Sequence, residues 1–240
     1  MIRTGQTGRR AGILWLFQII TGGLAMSYVR SSALVPGDVA ATAGRITGSE
    51  PLFRAAIVGS LLSQVFFFFL GLTLFELFEE VDRRLARVLA ASALVSAGIS
   101  VVNAGAHLGA LLVLGRPGFL NVFDPAQLDA MALVFLRLAN GVGQGLLEIF
   151  WVPFYVSFGL LVIRSRFLPR IFGILLTIMG AGFAFNLFQK FLIPQFHPAF
   201  FTQSAMALGA AGGIPTVLWL LIRGAGNRDP GDPLLAGRRP

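Results

Sequence analysis

Six apolar stretches, each long enough to cross a lipid bilayer, follow one another along this chain and decide what it can fold into. They run over roughly 11–29, 55–78, 87–114, 137–163, 170–190 and 204–222. A hydrocarbon core about 30 Å thick is spanned by ~20 apolar residues of helix. Within that core every backbone N–H and C=O must find a partner, which a helix supplies from its own segment. The expected fold is therefore all-α. It is a polytopic membrane protein, a six-transmembrane-helix bundle over residues 1–223, followed by a tail at 224–240 too poor in apolar residues to pack and expected to be disordered. Composition agrees, because 55% of the 240 residues are hydrophobic and only 12% are charged, against about a quarter charged in soluble domains.

The arginines set the threading. Segments holding Arg3, Arg9, Arg10, Arg83, Arg84, Arg87, Arg164, Arg166, Arg170, Arg223, Arg228, Arg238 and Arg239 alternate with segments holding Arg30, Arg45, Arg54, Arg116 and Lys190. Positive charge resists translocation, so the first set is cytoplasmic and both termini lie in the cytoplasm, with a plasma (inner) membrane as the location. The net charge of +8 is then an orientation signal, which leaves membrane lipid as a partner and nucleic acid as none. The first span, longer than the 7–15-residue core of a signal peptide, reads as an uncleaved anchor. Trp15, Tyr28 and Trp219 fall near span ends, where interfacial aromatics sit.

Two connections carry structure signals. The polar segment 30–54 reads as a loop or short surface helix. In 115–128, Asp124-Pro125 has the order of an N-cap followed by proline at the first helical position, so the fourth helix is expected to begin outside the membrane and run into it.

Missing chemistry narrows the function. The chain has no cysteine and two histidines, which removes disulfides and thiolate chemistry and leaves too few ligands for a conventional zinc site. No metalloprotease helix and no phosphate-binding loop is present, no serine has a histidine placed for nucleophilic catalysis, and no cofactor or metal is expected.

Polar residues inside the apolar spans are the positive signal. The stretch Arg137-Leu-Ala-Asn-Gly-Val-Gly-Gln-Gly-Leu-Leu-Glu148 carries an arginine, an asparagine, a glutamine and a glutamate into lipid depth. Arg137, Gly141, Gln144 and Glu148 fall on one face of a regular helix, extended by Trp151 and Tyr155. A carboxylate in hydrocarbon is costly, so Glu148 should face protein or water. Counting along the helices at 1.5 Å per residue, Asn103 and His107 of the third span and Asn186 of the fifth reach the same outer half of the bilayer. Gln64 lies near the middle of the second. Arg137 itself reads as an interface anchor. Pro153 is expected to bend the fourth helix and Gly212-Gly213-Ile214-Pro215 to interrupt the sixth, as interrupted helices do at membrane-protein sites. Gly141-x-x-x-Gly145 has the spacing of a close helix approach. A weak repeat pairs Arg83-x-Leu85-x-Arg87, followed by Asn103 and His107, with Arg166-x-Leu168-x-Arg170, followed by Asn186 and Lys190.

Three segments carry a resemblance. They are Phe75-Glu-Leu-Phe78 through Arg87, then Gly159-Leu-Leu-Val-Ile-Arg-Ser-Arg-Phe-Leu-Pro-Arg-Ile-Phe-Gly173, then Leu218-Trp-Leu-Leu-Ile-Arg-Gly224. The chain resembles, over about residues 10–226, the bacterial membrane family known as domain of unknown function 4386. The resemblance supports the topology and implies no activity. Relatives carry a glutamate shortly before the last motif, where this chain has Gly212 to Pro215.

The leading functional expectation is a non-enzymatic membrane protein with an outward-facing cavity for a small or lipidic ligand, walled by Asn103, His107, Gln144, Glu148, Trp151, Tyr155 and Asn186. A proton-coupled transporter using Glu148 comes second. An intramembrane enzyme and a partner-assembly protein follow.

Overall fold

The computed structural model describes residues 2–28, 34–35, 37–165, 167–193 and 199–225. Among these, every regular element is helical: α1 Ile2–Tyr28, α2 Val39–Gly48, α3 Glu50–Leu114, α4 Pro125–Arg137, α5 Gln144–Ser165, α6 Arg170–Leu192 and α7 Ala199–Arg223. A π-helical turn, Leu138–Gly143, joins α4 to α5. Three of the described helical stretches are long and apolar enough to cross a membrane by length and composition: Glu50–Leu114, Pro125–Ser165 and Arg170–Leu192.

The 65-residue α3 is a hairpin. Asp82 alone leaves helical geometry, at φ −158° and ψ 101°. Its Oδ1 accepts from the Arg84 and Leu85 backbone N–H groups at 3.0 and 3.2 Å, so Asp82 caps the second arm as an N-cap residue does. The arms then fold back on each other, because a Cβ on Gly71 would lie 2.5 Å from the Ala93 Cβ. Arg164 at the end of α5 ion-pairs with Asp82, which fixes the hairpin turn to the next turn of the bundle. The expected connection at 79–86 is thus one residue long.

The N-cap signal at 124–125 holds. Asp124 Oδ1 accepts from Gln127 N at 2.8 Å, and the Gln127 side chain accepts from Asp124 N at 3.0 Å, a reciprocal capping box. Within 30–54 the described structure holds the first residues of α3 and, before them, α2, capped by Asp38 and packed with α4 at the end of the bundle away from Asp82.

Helix pairs approach through glycines. A Cβ on Gly173 would lie 2.5 Å from the Gly159 carbonyl, so α5 and α6 touch backbone to backbone. The start of α1 packs against the end of α7, where a Cβ on Gly12 would lie 2.9 Å from Leu221 N. Gly224, at φ +65°, ends α7 in the left-handed region that favours glycine.

Two hydrophobic clusters result. One, around Asp82, holds Trp15, Phe67, Leu70, Phe154, Phe158, Leu176 and Leu220. The other, around α2 and α4, holds Ile46, Phe53, Ile57, Leu111, Leu128 and Leu136.

Several expectations change here. Trp15 is 3% exposed, with its ring 5.3 Å from Phe158, a core residue rather than an interfacial one. Trp219 is half-buried beneath the Arg223 guanidinium at 4.5 Å. The α7 helix runs unbroken through Gly212–Pro215. Gly212 lets α7 close on Leu175, and the Thr216 hydroxyl donates to the Gly212 carbonyl at 2.6 Å, an added bond across the turn that holds Pro215. Helix α5 also continues through Pro153, as the expectation of a bend rather than a break allows. The irregular point in that helix is the π turn ten residues earlier. The tail 226–240 and Arg166, with its share of the repeat, lie outside the described residues.

Candidate functional site

A cavity of about 460 Å³ lies between the two clusters, walled by α1, both arms of α3, the π turn, α5, α6 and α7. Helical spacing explains which α5 side chains reach it. Gln144, Leu147, Trp151 and Tyr155 follow at i, i+3, i+7 and i+11 and form one face. Asn140 joins them from the π turn. Its side chain donates to the Leu136 carbonyl at 3.0 Å.

The π turn corrects the single face expected from Arg137 to Glu148. An i→i+5 turn holds an extra residue, and each residue of helix advances the phase by about 100°. Arg137 is exposed at the end of α4, and nothing lies within 4 Å of a Cβ on Gly141. Neither lines the cavity. Gly143, by contrast, abuts the Asn103 side chain so closely that a Cβ there would overlap it. Gly145 packs against the Phe191 ring, 2.8 Å from its would-be Cβ. The close approach therefore uses Gly143 and Gly145 rather than the 141–145 pair.

Of the seven residues expected at the site, Asn103, His107, Gln144, Trp151 and Tyr155 line the cavity. The His107 ring is within reach of the Asn103 carbonyl and the Asn140 side chain and 6.1 Å from the Phe53 ring. Trp151 and Tyr155 both pack on Phe183, at 5.1 and 5.5 Å between ring centroids.

Glu148 and Asn186 stand behind this wall instead. One step past Leu147, Glu148 is turned toward α6. It is 4% exposed, and Asn186 Nδ2 donates to its Oε2 at 2.8 Å. The carboxylate thus meets the demand for a polar partner at apolar depth by bridging two helices. Asn103 and Asn186, equivalent in the repeat, occupy different surroundings.

Other wall residues extend the polar side: Gln18, Ser60, Ser63, Gln64, Ser100 and Asn140. Ser63 donates to the Gln18 carbonyl at 3.1 Å. Gln64 Oε1 and Ser100 Oγ are buried without a hydrogen-bond partner among the described residues. One pattern could have revealed this side. Ser92, Ser96, Ser100, Asn103 and His107 recur every three or four residues, a polar stripe along an otherwise apolar arm. No group of three or more His, Cys, Asp or Glu able to hold a metal is found among the described residues.

Comparison with curated proteins and with solved structures finds no match to the chain. Residues 10–224, which run from α1 to the end of α7, match the family described as domain of unknown function 4386, and the chain belongs to that family.

Proposed function

We propose that this protein crosses the bacterial plasma membrane six times, with both termini in the cytoplasm, and binds a small or lipidic ligand in the cavity between its two hydrophobic clusters. The α3 hairpin supplies two of the crossings, α5 and α6 two more, and α1 and α7 complete the ring. The Asp82 end, which gathers Arg83, Arg84, Arg87, Arg164 and Arg170, is the cytoplasmic one.

The observation that carries the ligand reading is the pair of buried oxygens, Gln64 Oε1 and Ser100 Oγ, both on the cavity wall and both without a partner among the described residues. A buried polar atom left unpaired costs about 1–3 kcal/mol, and a bound hydrogen-bonding group removes that cost. The volume, about 460 Å³, falls in the range of roughly 300–1,000 Å³ usual for small-molecule sites.

The reading is tested by purifying the protein in mild detergent and extracting what travels with it. A stoichiometric species is expected from the parent and is lost from the Gln64→Leu, Ser100→Val double variant, whose fold is checked by circular dichroism. Absence of any such species, together with no thermal stabilisation by added membrane lipid extract, sinks the reading.

A proton-coupled transporter is the second reading, favoured by the burial of Glu148 one layer behind the wall. Proton-dependent substrate uptake in proteoliposomes that is lost in Glu148→Gln supports it.

A further inference from the structure

No Asp, Glu, Lys or Arg is found among the described residues lining the cavity. Its polar side is built from five carboxamides (Gln18, Gln64, Asn103, Asn140 and Gln144), with serine hydroxyls and His107. Glu148, the nearest acid along α5, is held behind the wall by Asn186. A phosphate or ammonium group placed here would lose its water with no opposite charge to meet it, a heavy desolvation penalty. A hydroxyl or carbonyl head suffers no such penalty, and the carboxamides offer it both donors and acceptors. Trp15, Phe67, Trp151 and Phe183 add apolar surface to the same lining.

The exposed part of the lining shows where the cavity opens. Of the described lining residues, Ile19 and Gly23 on α1 and Ala210 and Ile214 on α7 are exposed, whereas all others are buried or half-buried. The two helices run antiparallel. They are closed on each other at Gly12 and Leu221 and leave the cavity wall exposed further along. The surface beside this gap is apolar, with Ile20, Leu24 and Leu218 at 44%, 69% and 49% exposure. A gap rimmed in this way faces hydrocarbon rather than water.

We infer that the cavity takes an uncharged amphiphile, a lipid with a hydroxyl or carbonyl head, which enters sideways from the bilayer between α1 and α7 and sets its head among the carboxamides. The inference rests on the ligand-binding reading proposed above, and it replaces the outward-facing opening with a lateral one.

The test uses the full chain in phosphatidylcholine vesicles that carry a trace of photoreactive diacylglycerol or of photoreactive phosphatidic acid with the same acyl chains. Diacylglycerol is expected to label peptides containing Gln18 to Gly23 or Ser100 to His107, to be competed by unlabelled diacylglycerol, and to exceed phosphatidic acid at least tenfold. Equal or stronger labelling of those peptides by phosphatidic acid overturns the uncharged class while keeping the ligand cavity. If neither probe labels them above the level at the outward-facing Phe188 and Leu192 of α6, which are 62% and 71% exposed, the ligand reading itself falls.

The route is tested separately. A Cβ at Gly23 meets nothing within 4 Å, so Gly23→Cys is tolerated, and the chain has no other cysteine. A bulky maleimide on this cysteine is expected to slow diacylglycerol labelling at least tenfold, while the same maleimide on Ile13→Cys, exposed at the closed end of α1 and away from the gap, leaves it unchanged. Ile214→Cys with Ile222→Cys, exposed at the closed end of α7, as control repeats the comparison on α7. Unchanged labelling in both blocked variants overturns lateral access.

Discussion

Asn186 of α6 donates a 2.8 Å hydrogen bond to Glu148 of α5, and this bond lies behind the cavity wall rather than on it. The expected behaviour of Glu148 variants follows from that position. Glu148→Gln keeps an acceptor for Asn186 and should change stability little, in line with the ~0.6 kcal/mol average for hydrogen bonds between membrane helices. Glu148→Leu strands the Asn186 amide and should cost about 1–3 kcal/mol. Unfolding of detergent-solubilised protein measures both. Equal losses for the two variants would show that the bond carries no weight.

Two glycines two residues apart should respond oppositely to alanine. Gly143→Ala drives a methyl into the Asn103 side chain and should destabilise by about 1–3 kcal/mol, as overpacking does. Gly141→Ala meets open space and should be neutral or stabilising by up to about 1 kcal/mol through helix propensity. The same unfolding measurement separates them, and equal effects would contradict the packing described here.

The hairpin turn should be sensitive to acid. The Asp82 carboxyl is held below its ordinary value by the Leu85 backbone N–H above all, with the Arg84 N–H and the Arg164 guanidinium adding to it and partial desolvation opposing. A depressed folded value contributes stability above the unfolded aspartate value of about 3.9, and that stability is lost as pH falls through the lower folded value. The parent should therefore exceed Asp82→Asn in stability at neutral pH, and the two should converge below about pH 4. A gap that is independent of pH would assign the effect to packing instead.

Threading is open to single-cysteine labelling in this cysteine-free chain. A membrane-impermeant thiol reagent applied to intact cells should modify Arg45→Cys on α2 and spare Arg228→Cys until the membrane is permeabilised. The reverse pattern inverts the proposed topology.

Most of the helical organisation was legible because it depends on segment length, apolar content and cap chemistry, each of them local. Asp124-Pro125 marked the start of α4 to the residue. What escaped depends on the partner a residue meets. Gly212 and Gly213 have the composition of a helix break, yet they serve the approach of α7 to Leu175 and Trp15. Trp15 has the position of an interface anchor but packs into the core. The π turn was not foreseen, since nothing in Leu138–Gly143 alone distinguishes it from α-helix, and it decides which side chains of the 137–155 stretch face the cavity. Five of the seven expected site residues sit on the wall. The remaining two, Glu148 and Asn186, lie level with each other, but a rotation of one residue separates them from the wall, a difference that counting along the helices does not register.

The single-residue break in α3 makes its two arms a pair of matched rulers. Gln64 lies eighteen residues before Asp82 and Ser100 eighteen after it, so both unpartnered oxygens stand level, about 27 Å along their arms at 1.5 Å per residue. Inserting one residue into either arm between them would raise that oxygen by about 1.5 Å and swing it about 100° around its helix. Length is therefore as constrained as side-chain identity over 64–100, and within that stretch homologous chains that keep the cavity should differ by substitution rather than by insertion or deletion.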